Sequence, residues 1–96
     1  MKIDFTKTDK NLEVVLNGRL DTITAPELDG FLTSNLNGVN EIVINCEKLE
    51  YVSSAGLRVF LATHKKMKGA LKLTNVQEAV MEVFEITGFV DILEVE

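Results

Sequence analysis

The sequence predicts an α/β fold: a mixed, mostly parallel β-sheet with three α-helices, in the order β-β-α-β-α-β-α. Three observations predict it. Apolar and polar residues alternate near the start of the chain; segments of helical period then follow, separated by short β-branched runs; and Gly38, Gly69 and Gly88 each stand where such a helical segment ends. The 96 residues have room for one hydrophobic core, and no stretch is poor enough in apolar residues to serve as a linker. Residues 1–96 are therefore expected to form a single domain.

Ile3 and Phe5, then Leu12, Val14 and Leu16, alternate as two strands do, and Asp9, Lys10 and Asn11 supply turn residues between them. The period changes over Asp21 to Leu36. Thr24 with Glu27 three residues later reads as a capping box, Pro26 falls harmlessly in the first turn, and Leu28, Phe31, Leu32 and Leu36 recur at helical spacing. Asn37 and Gly38 end that helix. Glu41 to Cys46 is β-branched and apolar at successive positions, as in a strand covered on both faces or lying centrally. After a polar stretch from Glu47 to Glu50, Ser53 and Ser54 precede a second helix with Leu57, Phe60, Leu61 and Met67 on one stripe. Lys65, Lys66 and Lys68 suit its C-terminal dipole. Ala70 to Thr74 is short and β-like, and strands alternating with helices imply parallel pairing through right-handed crossovers. Asn75 with Glu78 reads as another box, opening a helix with Val76, Val80, Val83 and Phe84 on one face. The tail Phe89 to Val95 is apolar enough to dock.

Composition removes several functions. No apolar run reaches the length of a membrane span or signal peptide, so the chain is expected to be soluble and cytoplasmic. The net charge of −5 argues against nucleic acid, whose phosphates demand clustered Lys and Arg. The single cysteine, Cys46, ends an apolar run and is expected to be buried and reduced. No Walker A loop, GxGxxG, CxxC or HExxH occurs, and the single histidine, His64, falls on the apolar stripe of the second helix. Asp4, Asp9, Glu13 and Glu27 lie on turns, caps and polar faces. Neither an enzymatic constellation nor a bound cofactor or metal is expected.

Two places admit more than one reading. Gly18-Arg19-Leu20-Asp21 closes a strand before a helix, which puts it at the strand's C-terminal edge, where α/β folds bind ligands; equally, Gly18 allows a bend or a close backbone approach and Asp21 caps the helix. In Tyr51-Val52-Ser53-Ser54-Ala55-Gly56-Leu57, both serines fall where a helix begins. That position supplies free N–H groups and the positive end of the dipole, suited to phosphate, although plain N-capping by serine would leave the same pattern.

Those segments carry a resemblance. Residues 51–57, following the strand Ile42 to Cys46, resemble the signature of the STAS domain family, the sulfate transporter and anti-sigma factor antagonist family. Gly18-Arg19-Leu20-Asp21 is similar to its Gly-x-Leu-Asp element, and Val80 to Phe89, with Thr87-Gly88-Phe89, to its last helix and exit. With neither a transporter segment nor a fused domain, the chain looks like the free-standing bacterial anti-sigma factor antagonists. The resemblance implies a non-catalytic protein switch in which Ser54, two residues before the motif's glycine, is phosphorylated by an anti-sigma factor that is itself a serine kinase of the ATPase fold. A phosphatase acting on phospho-Ser54 would reverse this, and the unphosphorylated chain would bind the kinase and release a sigma factor. Many members resemble Asp-Ser-Ser-Gly here, whereas this chain reads Ser53-Ser54-Ala55-Gly56 and lacks the acidic neighbour.

The resemblance and helical spacing together nominate Asp21, Ser53, Ala55, Gly56, Arg58 and Ala62 as partner-binding residues, with Val59 and Lys65 on the same face. A phosphate there would add about −1.5 to −2 charges at the helix start, and a loss of about 4 kcal/mol would weaken partner binding roughly a thousandfold. The alternative within the family is an accessory STAS subunit of a lipid-transport ATPase, which would use the same surface without a phosphate cycle. Nucleotide hydrolysis by the domain itself has no phosphate-cradling glycine loop to support it.

Overall fold

Period-two patterning over the first twenty residues produces a hairpin. In the computed structural model, which describes residues 1–96, β1 (Lys2–Thr8) and β2 (Asn11–Leu20) pair antiparallel from Lys2↔Asn17 to Thr8↔Asn11, and Asp9 turns the chain at φ 55°. The elements that follow are α1 (Ala25–Asn35), β3 (Glu41–Val52), α2 (Ser54–Lys66), β4 (Leu71–Thr74), α3 (Glu78–Thr87) and β5 (Glu94–Val95). The expected order is present with a fifth strand added: the tail docks through a 3-10 turn at Phe89–Asp91, and β5 then pairs with β4.

Sheet order coincides with chain order, β1-β2-β3-β4-β5, and every pair after the hairpin is parallel. Crossovers of the favoured hand then deliver all three helices to one face. Burial follows that division. Leu12, Val14 and Leu16 of β2, Ile42, Ile44 and Cys46 of β3, and Leu71 and Leu73 of β4 are buried, while the alternate positions Glu13, Asn17, Asn45 and Lys72 are exposed or half-buried. The helices close the core with Leu28 and Leu32 from α1, Leu57 and Phe60 from α2, and Val80 and Phe84 from α3; the rings of Phe60 and Phe84 lie 6.2 Å apart. At the edge, Phe31 packs against Phe5 with ring centroids 5.0 Å apart, and Phe5 stays about half exposed.

Several local expectations are corrected. The strand expected to end at Cys46 runs on through the polar stretch Glu47 to Glu50, so that β3 has 12 residues. Against β2 it carries two register shifts, between Val15 and Asn17 and between Gly18 and Arg19, each inserting an extra residue in β3. Its buried residues therefore pass from Ile44 and Cys46 to Leu49 and Val52, a spacing that period-two reading misses. Gly18, at the second shift, adopts φ 117°, which an L side chain rarely takes.

The two capping boxes also fail. Thr24 is already helical in backbone and its side chain makes no cap bond; Oγ1 instead donates to the Arg19 carbonyl at 2.7 Å and accepts from the Asp21 N–H at 2.9 Å. Asn75 stands before α3 at φ 54°, its amide donating to Asn45 Oδ1 at 3.2 Å, and the cap position falls to Gln77. Val59, expected beside Ser54 on the outer face, is buried, whereas His64 is half-buried with Nδ1 enclosed and unpartnered.

Two outcomes follow from this core. Phe60→Ala removes a fully buried ring and should lower stability by about 3–5 kcal/mol in denaturant titration. Cys46 is fully buried and burial pushes its thiol up to about 12, so native labelling by a thiol reagent near neutral pH should be orders of magnitude slower than in denaturant.

Candidate functional site

The parallel strands β2 and β3 end together, with Leu20 opposite Val52, and the backbone bridges them once more where the Ser53 N–H donates to the Leu20 carbonyl at 2.8 Å. The two loops that leave this edge, Asp21–Thr24 and Ser53, are therefore neighbours. Beside them Arg19 lays its guanidinium 4.2 Å from the centre of the Tyr51 ring.

Gly56 fixes how closely α2 lies on that edge. A Cβ there would stand 2.6 Å from Leu20 Cγ and 3.0 Å from Val52 Cγ2, both on buried side chains, so the first turn of α2 rests directly on the strand ends. Gly56 is buried and offers a partner no side chain; it sets the height of the residues around it.

The adjacent serines divide two tasks. Ser53, in extended conformation, is the N-cap of α2 and its Oγ accepts from the Gly56 N–H at 3.4 Å. Ser54 is the first residue of the helix, exposed, with its hydroxyl outside the cap. The capping reading of the serine pair thus holds for Ser53, and Ser54 takes no part in the cap. Asp21 turns its carboxylate into its own loop: Oδ1 accepts from the N–H groups of Ile23 and Thr24, both at 3.0 Å. The Thr24 N–H foremost, then those of Ile23 and the Thr24 hydroxyl, and finally the Arg19 charge, hold this carboxyl below the usual carboxylate range, against a smaller opposing effect of desolvation.

Along α2 the exposed side chains after Ser54 are Arg58, Lys65 and Lys66, while Ala55 and Ala62 are half-buried. A shallow groove separates this face from α1, lined by Thr22, Ala25, Pro26 and Asp29 on one side and by Ala55, Arg58 and Val59 on the other. Of the residues nominated from sequence, Asp21, Ser53, Ser54, Ala55, Arg58 and Ala62 lie on the strand-end loops or the outer side of α2, and Gly56 lies beneath them. Ile23, 85% exposed in the Asp21 loop, is not among the nominated residues, nor is the α1 side of the groove. Its signal was an isoleucine outside any helical or strand period. No three His, Cys, Asp or Glu side chains converge as a metal would require, and no helix is long and apolar enough to cross a membrane.

A sequence model of the STAS domain matches residues 2–96. The chain belongs to the STAS domain family. This STAS domain is 35% identical over 99 residues to the anti-sigma-B factor antagonist of Staphylococcus aureus, in an alignment covering 99% of the chain and 92% of that relative. Among solved structures it is similar to the anti-sigma factor antagonist SpoIIAA in its unphosphorylated form, with a TM-score of 0.84 at 19% identity, covering 99% of this chain and 88% of that one. The Bacillus cell fate determinant SpoIIAA in the phosphorylated form superimposes with a TM-score of 0.75 at 18% identity, covering 99% and 91%. The five-stranded mixed sheet with three helices is the fold these structures share.

Asp21 yields a prediction with a definite sign. Its folded pKa lies below the ordinary 3.8, so its contribution to stability is complete above that value and is lost as pH falls through the lowered one. Asp21→Ala should melt below wild type at neutral pH, and the gap between the two melting temperatures should narrow in strong acid.

Proposed function

We propose that this STAS domain is an anti-sigma factor antagonist, a protein-binding switch without catalytic activity of its own, and that Ser54 is its phosphorylation site. The observation that carries the reading is the division of the serine pair: Ser53 supplies the cap that α2 needs, which leaves Ser54 exposed at a helix start with a free hydroxyl. Its likeness over nearly its whole length to an anti-sigma-B factor antagonist supports the same reading.

In this scheme the unphosphorylated chain binds an anti-sigma factor that is a serine kinase of the ATPase fold, and so frees a sigma factor in the cytoplasm. Asp21, Ser53, Ala55, Arg58 and Ala62 meet the kinase, with Gly56 holding them at the right height. The kinase then moves the γ-phosphoryl group of ATP to Ser54 Oγ; the hydroxyl proton is released and ADP departs. The new dianion is compatible with the fold, because the first turn of a helix carries positive dipole and free N–H groups. It is not compatible with the complex, since burial beneath a partner would desolvate it. A phosphatase acting on phospho-Ser54 restores binding.

The test is intact-mass and peptide analysis after incubation with the kinase and ATP, in which one phosphate at Ser54 is expected. Ser54→Ala should fold normally and stay bound in ATP, and Ser54→Asp should bind at least about tenfold more weakly. Ser53→Ala should lose about 1 kcal/mol of stability with its cap and still accept phosphate. Phosphate at Ser53 or at the buried Thr63, or none while binding persists, would overturn the switch.

A further inference from the structure

From Tyr51 onward the charges of the chain are not mixed but sorted. From Tyr51 to Gln77 there is no Asp or Glu, while Arg58, Lys65, Lys66, Lys68 and Lys72 all fall there, in a chain whose net charge is −5. After Lys72 there is no further cation, and Glu78, Glu82, Glu85, Asp91, Glu94 and Glu96 follow. The helix α1 carries Glu27 and Asp29 and no cation. The middle helix of the layer is thus basic between two acidic ones.

The cations of α2 are also unspent. The ion pairs within the chain are Lys2–Asp4 and Lys72–Glu96, so Arg58, Lys65 and Lys66 are exposed and free of an internal partner. Ser54, Arg58, Ala62 and Lys65 follow one another at spacings of three and four, which puts them on one face, over about 16 Å at 1.5 Å per residue. The small side chains of Ala55 and Ala62 leave room between the cations for a second backbone to come close.

We propose that this face of α2 is an electropositive docking strip for an acidic surface of the partner protein, headed by Arg58. The inference rests on the switch reading for the partner's identity and adds the chemistry of the partner's surface: Asp and Glu side chains set to meet Arg58 and Lys65. A protein patch suits the strip better than a long polyanion, because the acidic helices on either side repel anything that extends past it. Arg58 stands one turn after Ser54, at the i, i+4 spacing where helical side chains meet. Phosphate on Ser54 would pair with that guanidinium and withdraw it from the partner, while confronting the partner's carboxylates with about two negative charges.

Binding of the purified anti-sigma kinase encoded nearest this chain's gene, with nucleotide omitted so that Ser54 stays unmodified, tests the strip. From about 0.1 M to about 1 M salt the Debye length falls from about 10 Å to about 3 Å, and wild-type affinity should fall at least about tenfold. At the lower salt the double variant Arg58→Glu, Lys65→Glu should keep the wild-type circular dichroism and bind at least about a hundredfold more weakly. Lys10→Glu, in the hairpin turn at the far end of the sheet, should bind within about twofold of wild type. Equal affinity of the double variant and wild type would overturn the strip and leave the kinase reading standing. A wild-type chain that neither binds the kinase nor takes phosphate would remove both. Self-assembly of the wild type that the double variant loses, or binding of the wild type to phosphatidylserine vesicles in place of the kinase, would assign the strip to another occupant and overturn the proposal.

Discussion

The close approach at Gly56 is the constraint on which the site depends. The first turn of α2 rests on the side chains of Leu20 and Val52 with no space for a Cβ, and those two residues are the last register pair of the adjacent strands β2 and β3. One contact thus ties three things together: the end of the central sheet, the start of the helix and the loop that carries Asp21. An alanine at this position would have to push α2 away from the sheet or displace two buried side chains. In either case Ser54 and Arg58 would shift relative to Asp21, even if the fold survived.

On that platform local hydrogen bonding sorts residues into those that hold the structure and those left free. Ser53 and Thr24 turn their hydroxyls inward to backbone groups, and Asp21 spends its carboxylate on its own loop. Ser54, Arg58 and Ile23 are among those left free: exposed groups of three different chemistries, hydroxyl, cation and hydrocarbon, at one edge of the sheet. This arrangement suits recognition of another macromolecule, because the free groups are positioned by neighbours that recognition does not disturb.

The main architecture was legible because it rests on periodicity and glycine. Ile42, Ile44 and Cys46 read as a central strand and lie in one; Gly88 reads as the end of a helix and adopts the left-handed conformation that ends α3. What escaped was whatever breaks a period. The second half of β3 hides behind two bulges, and β5 is too short to show any alternation. The supposed boxes at Thr24 and Asn75 failed for a related reason: a hydroxyl or amide suited to capping has other partners within reach, here the Arg19 carbonyl and the Asn45 side chain, and sequence cannot rank them. The serine pair was visible at once, yet its assignment was not, since either residue is a competent cap. The groove beside Arg58 arises from two helices packing together, and no single segment encodes it.

The coincidence of sheet order with chain order bears on how the molecule comes to exist. Each strand pairs with the one made immediately before it, so no pairing waits for a distant segment, and the loops to be closed are only as long as one crossover. A chain emerging from a ribosome can therefore build the sheet in the direction of synthesis, adding one strand and one helix at a time. The surface around Ser54 is assembled from β2, β3 and the first turns of α1 and α2, all of which precede β4. Its shape is laid down early, and the last third of the sequence serves chiefly to seal the core beneath it.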